Sequence, residues 1–190
     1  MTELILEPTV TAQWQRLVRD AVRDSAHDLG EDLESYLVFL LMRFAQDSTL
    51  THRVMALEYL KGLSARGEAR NNALRDVGDQ CLLVAGVFPH QAERRMVRLS
   101  YFVELGQSAY EQLSMFLGRS TAQLYGELSN AFVSLIEVLH CMRGLGGALD
   151  LTPIEALELW QDTGSPRALK TLRGYTTAHP VSGDEPKTRH

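Results

Sequence analysis

Apolar residues recur at three- and four-residue spacing along nearly the whole chain, and no stretch alternates regularly enough to predict a strand. Trp14, Leu17, Val18, Ala21 and Val22 share one stripe, which predicts a first helix over 11–27 that Gly30 ends. A second helix over 31–47 carries Leu33, Tyr36, Leu37, Phe39, Leu40, Leu41 and Phe44 and is apolar all round at its middle, the mark of a buried helix. Ser48 or Thr51 is suited to cap a third, running through Val54, Leu57, Leu60 and Leu63 to a stop at Gly67. A fourth spans 74–89 and ends at Pro89. Leu99, Phe102, Ala109, Leu113 and Phe116 align on a fifth that Gly118 closes.

Ser120 and Gln123 read as a capping box for a long sixth helix, which continues through Leu128, Leu135 and Met142 to the glycines at 144–147. Thr152-Pro153-Ile154-Glu155 combines a cap, a proline at the first helical position and an acid three residues after the cap, and so predicts a short helix ending near Gly164. Ser165-Pro166 opens another. The pattern therefore predicts an all-α fold, a single-domain bundle of six to eight helices over 1–174, with the second and fourth helices at its centre. From Tyr175 the periodicity stops among Thr, Pro, Ser, Gly and charged residues, which predicts a short flexible C-terminal tail over 175–190.

Composition narrows the function classes. A chain of 190 residues suits one domain with a sizeable core, and a formal charge of −5 without a basic block argues against nucleic acid as a partner. The longest apolar run, 36–42, is far too short to span a bilayer, so no membrane association is expected. Cys81 and Cys141 stand apart in apolar helical contexts, outside any CxxC pair, and fit buried thiols in a cytoplasmic, reducing compartment. Walker, dinucleotide-binding and nucleophile-elbow patterns do not occur, so no cofactor is expected and an enzyme is the weaker reading.

Two constellations carry candidate chemistry. The first is Arg75-Asp76-Val77-Gly78-Asp79-Gln80, which brings charge into the helix whose second half is wholly apolar. Charges so near a core must be paired, because an unpaired one there is too costly to keep. Arg75 and Asp79 lie four residues apart and are placed to pair along the helix, while Asp76 and Gln80 share another face. Gly78 costs about 1 kcal/mol in a helix interior relative to alanine, which predicts the close approach of another element. The segment is either an ionic network locking helices together or a small-ligand site built from Arg75, Asp76, Asp79 and Gln80.

The second constellation is Glu137-Val138-Leu139-His140, an E-x-x-H pair of the kind found in carboxylate-bridged di-iron bundles, with Glu104 and Glu111 on the preceding helix. Counting about 100° per residue from the Leu128/Leu135/Met142 stripe puts Glu137 and His140 on a solvated face. Glu104 and Glu111 likewise lie opposite Phe102, Ala109 and Leu113. No metal is favoured; the alternative is a metal site across a dimer interface using Glu104, Glu137 and His140. Arg94, Arg95 and Arg98 form a small basic cluster suited either to an anion or to Glu93 and the chain's surplus acids.

The segments 74–89 and Arg98-Leu99-Ser100-Tyr101-Phe102-Val103-Glu104-Leu105-Gly106-Gln107-Ser108-Ala109-Tyr110 resemble those of an uncharacterised all-helical proteobacterial protein family. The resemblance covers about a sixth of the chain, implies a bacterial origin, and brings no catalytic or binding residue with it. With long amphipathic faces and no catalytic constellation, the chain reads as a non-enzymatic interaction or regulatory protein. A homo-oligomer, a homodimer first, with a possible further protein partner, is the expected working form.

Overall fold

The computed structural model describes residues 9–46, 55–89, 97–144 and 152–175. Among these residues the chain is all-α, with nine helices. They are α1 (Val10–Ser25), α2 (Glu31–Gln46), α3 (Met55–Ser64), α4 (Gly67–Gly86), α5 (Leu99–Phe116), α6 (Arg119–Asn130), α7 (Phe132–Gly144), α8 (Pro153–Thr163) and α9 (Pro166–Tyr175). The expected tail lies outside the described residues except for Tyr175, which is the last residue of α9.

Local signals explain most of the boundaries. Thr9 caps α1 by accepting from the Ala12 amide at 3.2 Å. Three acids, Glu31, Asp32 and Glu34, fill the first turn of α2, where the helix dipole favours negative charge. Gly67 adopts φ +58°, a conformation glycine takes without strain, and there it links α3 to α4. Pro153 and Pro166 open α8 and α9, as expected of prolines at the first helical position. Ser165 caps α9, its hydroxyl accepting from the Ala168 amide at 3.2 Å.

Two expectations about boundaries need correction. The sixth helix is two helices, because Ala131 sits at φ −88°, ψ 6° and turns the chain between α6 and α7. The Ser120–Gln123 capping box does not form: Gly118 is the N-cap of α6 and makes no side-chain cap bond, while the Gln123 amide donates to Glu127 at 2.9 Å.

At the centre lies α4, which packs along α5 and is flanked by α3 and α7. Every residue from Val77 to Gly86 is buried. Instead of α2, the second central rod is α7, buried continuously from Leu135 to Cys141. α2 keeps Leu33, Leu37, Val38, Leu40 and Leu41 inside but leaves Phe39 64% exposed, so its apolar middle has one face outward.

Among the described residues, close helix approach rests on Gly78, Gly106 and, against Leu139 of α7, Gly86. A Cβ at Gly78 would fall 2.3 Å from Tyr110 Cε1, and one at Gly106 would fall 2.3 Å from Phe132 Cζ and 2.9 Å from Cys81 Cβ. The intrinsic helix cost of Gly78 is thus explained by the Tyr110 ring lying against the backbone. No helix among the described residues is long and apolar enough to cross a membrane.

Candidate functional site

Asp79 is the only charged residue in the buried stretch 77–86 of α4, and two other helices send groups to it. The Tyr36 hydroxyl donates to Oδ1 from α2 at 2.6 Å, and the Tyr110 hydroxyl donates to the same oxygen from α5 at 2.7 Å. Arg43, two turns beyond Tyr36 on α2, donates from Nη2 to Oδ2 in a tight ion pair. Tyr125 on α6 completes an aromatic nest. Its ring centroid lies 6.0 Å from that of Tyr36 and 5.7 Å from that of Tyr110, and the Tyr36 and Tyr110 rings meet edge-on at 6.2 Å.

Asp76 lies one turn nearer the N-terminus of α4 and is one-third exposed. Its Oδ1 stands 3.7 Å from Arg43 Nη1 and 3.8 Å from Arg75 Nε. Two arginines thus face two aspartates, and the charges balance within the cluster. Burial pushes the Asp79 carboxyl above its ordinary range, against the pull of Arg43 and the two phenols. Burial, and then the Asp79 charge, drive the Tyr36 and Tyr110 hydroxyls well above theirs, so both remain proton donors. With both oxygens of Asp79 engaged and its donors held protonated, the group acts as a clamp joining α2, α4 and α5, and is not free to serve as a general base.

The four residues singled out from the sequence therefore divide. Asp76 and Asp79 share one network. Arg75 reaches Asp76, and no hydrogen bond from it to Asp79 along the helix is among those described. Gln80 is buried, and its Oε1 has no hydrogen-bond partner; Arg43 Nε and Arg75 Nε share that condition. Sequence reading missed Tyr36, Arg43, Tyr110 and Tyr125. The signal available was Arg43 itself, a lone cation in the apolar run of α2, seven residues after a tyrosine on the same face.

The solvated placement of Glu137 and His140 is corrected by the structure. Both are buried, at 2% and 7% exposure. A phase counted from Leu128 does not pass through the turn at Ala131, and α7 is enclosed by α1 and α4. Glu137 Oε2 lies 2.6 Å from His27 Nε2, and Oε1 accepts a close hydrogen bond from Ser165. His140 Nε2 meets the Ala85 carbonyl at 2.8 Å, so this nitrogen carries the proton. Burial lowers the His140 pKa to about 4 and keeps the ring neutral.

Glu104 and Glu111 are exposed, and they line a polar groove between α5 and α6 with Gln107, Ser108, Gly126, Ser129 and Asn130. The structure thus separates Glu104 from Glu137 and His140. Among the described residues no three His, Cys, Asp or Glu side chains converge as a metal-holding group. Arg98 pairs with Glu158 at 3.3 Å; Arg94 and Arg95 lie outside the described residues. Cys81 and Cys141 are buried free thiols, and burial raises the pKa of Cys81, which makes it unreactive.

Against known proteins the chain matches no family model, no curated protein and no solved structure. Function has to be argued from the chain's own geometry.

Proposed function

We propose that this chain is a non-enzymatic interaction protein, a bacterial, cytoplasmic homodimer that associates through the outward face of α3. The observation that carries the reading is a leucine stripe. Leu57, Leu60 and Leu63 are 54%, 58% and 40% exposed at three-residue spacing, while Met55 and Gly62 on the opposite side are buried. Such a stripe on a short helix is an apolar face without a partner among the described residues, and contiguous exposed apolar surface marks interaction sites. The closed state of the Asp79 cluster supports the same reading, since its most polar group is committed to holding helices together. Two buried unpaired thiols suit a reducing compartment.

Light scattering on the purified protein tests this. The expected result is a dimer for the natural chain and a monomer for L57Q/L60Q. The thermal midpoint extrapolated to low concentration should be unchanged, because both side chains already face water in the single chain. A natural chain that is monomeric throughout the concentration range overturns the reading.

A second reading has one observation in its favour. Arg43 Nε, Arg75 Nε and Gln80 Oε1 are buried polar atoms without hydrogen-bond partners beside the Asp76–Asp79 network, and such atoms are uncommon in folded proteins. A small polar ligand in contact with Arg75, Asp76, Asp79 and Gln80 would satisfy them. Native mass spectrometry of freshly purified protein is then expected to show an adduct that is lost in Q80L. The bare chain mass in the natural protein rules the ligand out.

A further inference from the structure

The groove between α5 and α6 encloses about 550 Å³, and its walls are two helical stripes. Glu104, Gln107, Ser108 and Glu111 stand at i, i+3, i+4 and i+7 on α5, and Gly126, Ser129 and Asn130 at i, i+3 and i+4 on α6. A stripe turned toward a neighbouring helix is ordinarily apolar. Both of these are polar, and they carry two carboxylates and no cation. A reciprocal pair of bonds fixes the separation of the walls: the Ser129 hydroxyl donates to the Gln107 carbonyl at 3.0 Å, and the Gln107 amide donates to the Ser129 carbonyl at 3.4 Å.

Two features of the groove have no explanation within the chain. Asp20, Glu34, Asp76, Asp79 and Glu158 each meet an arginine, whereas the Glu104 and Glu111 carboxylates have no ion-pair or hydrogen-bond partner among the described residues. Gly126 is the second. It lies in the interior of α6, where glycine weakens a helix relative to alanine. Gly62, Gly78 and Gly106 sit inside helices for a visible reason, since a Cβ at each would press on a neighbouring side chain. A Cβ at Gly126 would meet nothing within 4 Å and would only take up space in the groove. A glycine that no part of its own chain crowds leaves the backbone open to close approach from outside.

We propose that this groove is a binding site for a linear aliphatic polyamine, which lies along α5 and passes over Gly126. Seven residues separate Glu104 from Glu111, about 10.5 Å of helix rise, and the terminal ammonium groups of an extended triamine span about that length. Each end then donates to one carboxylate in a charge-assisted bond. The central ammonium lies among the Gln107 and Asn130 amide oxygens and the Ser108 hydroxyl, all able to accept. The methylene chain between them is thin and needs a wall without a side chain, which Gly126 supplies. A single metal ion does not fit, because carboxylates so far apart cannot share an ion whose ligands stand at about 2.0–2.6 Å. An anion would face two carboxylates and no cation. The volume suits a small molecule, and the chain's net charge of −5 concentrates cations around it. Binding here requires no association through α3.

Calorimetric titration of the full chain with spermidine tests the site, at physiological salt so that diffuse attraction is screened. The expected result is saturable binding of one spermidine per chain, with butylamine, which carries a single ammonium, weaker by about tenfold or more. E104Q/E111Q should lose about tenfold or more in spermidine affinity. G126L should lose as much by filling the groove, while its thermal midpoint stays level or rises, because leucine is the better helix former and its Cβ has open space. Absence of saturable binding in the natural chain overturns the proposal, as does full displacement of spermidine by an equal concentration of magnesium chloride, the mark of diffuse screening. Trilysine binding more tightly than spermidine overturns it too, since the occupant would then be a basic segment of a partner protein. Undiminished affinity in G126L also overturns it. Should G126L not fold, E104Q/E111Q decides alone, and undiminished affinity there overturns it.

Discussion

Replacing Arg43 with methionine should lower the thermal midpoint by about 10 °C at neutral pH, because it strips the cation from a buried carboxylate. Asp79 is 2% exposed, and after the change its oxygens keep, among the described residues, the two phenol donors. Breaking a buried pair from one side typically costs about 3–5 kcal/mol, and each kcal/mol shifts the midpoint of a chain this size by roughly 2–4 °C. The reverse change, D79N, should cost much less. The arginine it orphans is 37% exposed and regains water, whereas the aspartate cannot. R43M/D79N should therefore recover most of the loss, since a neutral amide needs no counter-charge. The deficit of R43M should also shrink as pH falls, because protonating Asp79 removes the unmatched charge. Calorimetry on the four proteins reads this cycle directly. A double variant no more stable than R43M would show that packing of the arginine stem, not neutralisation, carries the effect.

The same cluster shows how far a sequence can be read and where it stops. That Asp79 had to be paired follows from one physical fact, the cost of a bare charge in a helix otherwise apolar, and the structure pairs it. That Gly78 had to admit a neighbour follows from its helix cost, and Tyr110 is that neighbour. The partners themselves were not legible. Arg75, four residues from Asp79, is the pairing that local spacing favours, yet the tight ion pair comes from Arg43 on another helix. Local geometry offers an exposed, screened contact, while the core needs a donor arriving from the opposite side. Periodicity specifies which face of a helix is apolar; it does not say which other helix meets that face.

The misplacement of Glu137 and His140 has a different cause. Hydrophobic phase is meaningful only within one unbroken helix, and no glycine or proline announced the turn at Ala131. The sequence Phe132–Cys141 offered a warning of its own, since eight of its ten residues other than Glu137 and His140 include only one polar side chain, Ser134. A segment apolar on every side is buried on every side, and its polar residues then have to find partners. Glu137 does so through His27 and Ser165, and His140 through a backbone carbonyl.

That buried histidine sets the second large effect. Burial first, and then the nearby Arg143 and Arg167, hold its pKa at about 4 in the folded chain, against an ordinary value of 6.5. The folded state therefore binds this proton less tightly than the unfolded state does. Below about pH 6.5 the unfolded chain takes up a proton that the folded chain refuses, so stability falls as pH falls and levels off once pH passes about 4. The full loss is about 3 kcal/mol, taking 1.36 kcal/mol for each unit of lowering. Urea denaturation at a series of pH values should show the decline beginning above pH 5, before most carboxylates titrate. In H140Q the amide can still donate to the Ala85 carbonyl but carries no titrating proton. Its stability should be lower at neutral pH yet flat between about pH 6.5 and 5. Parallel declines in the two proteins over that interval would mean that the proton goes elsewhere, and the neutral, buried state assigned to His140 would have to be given up.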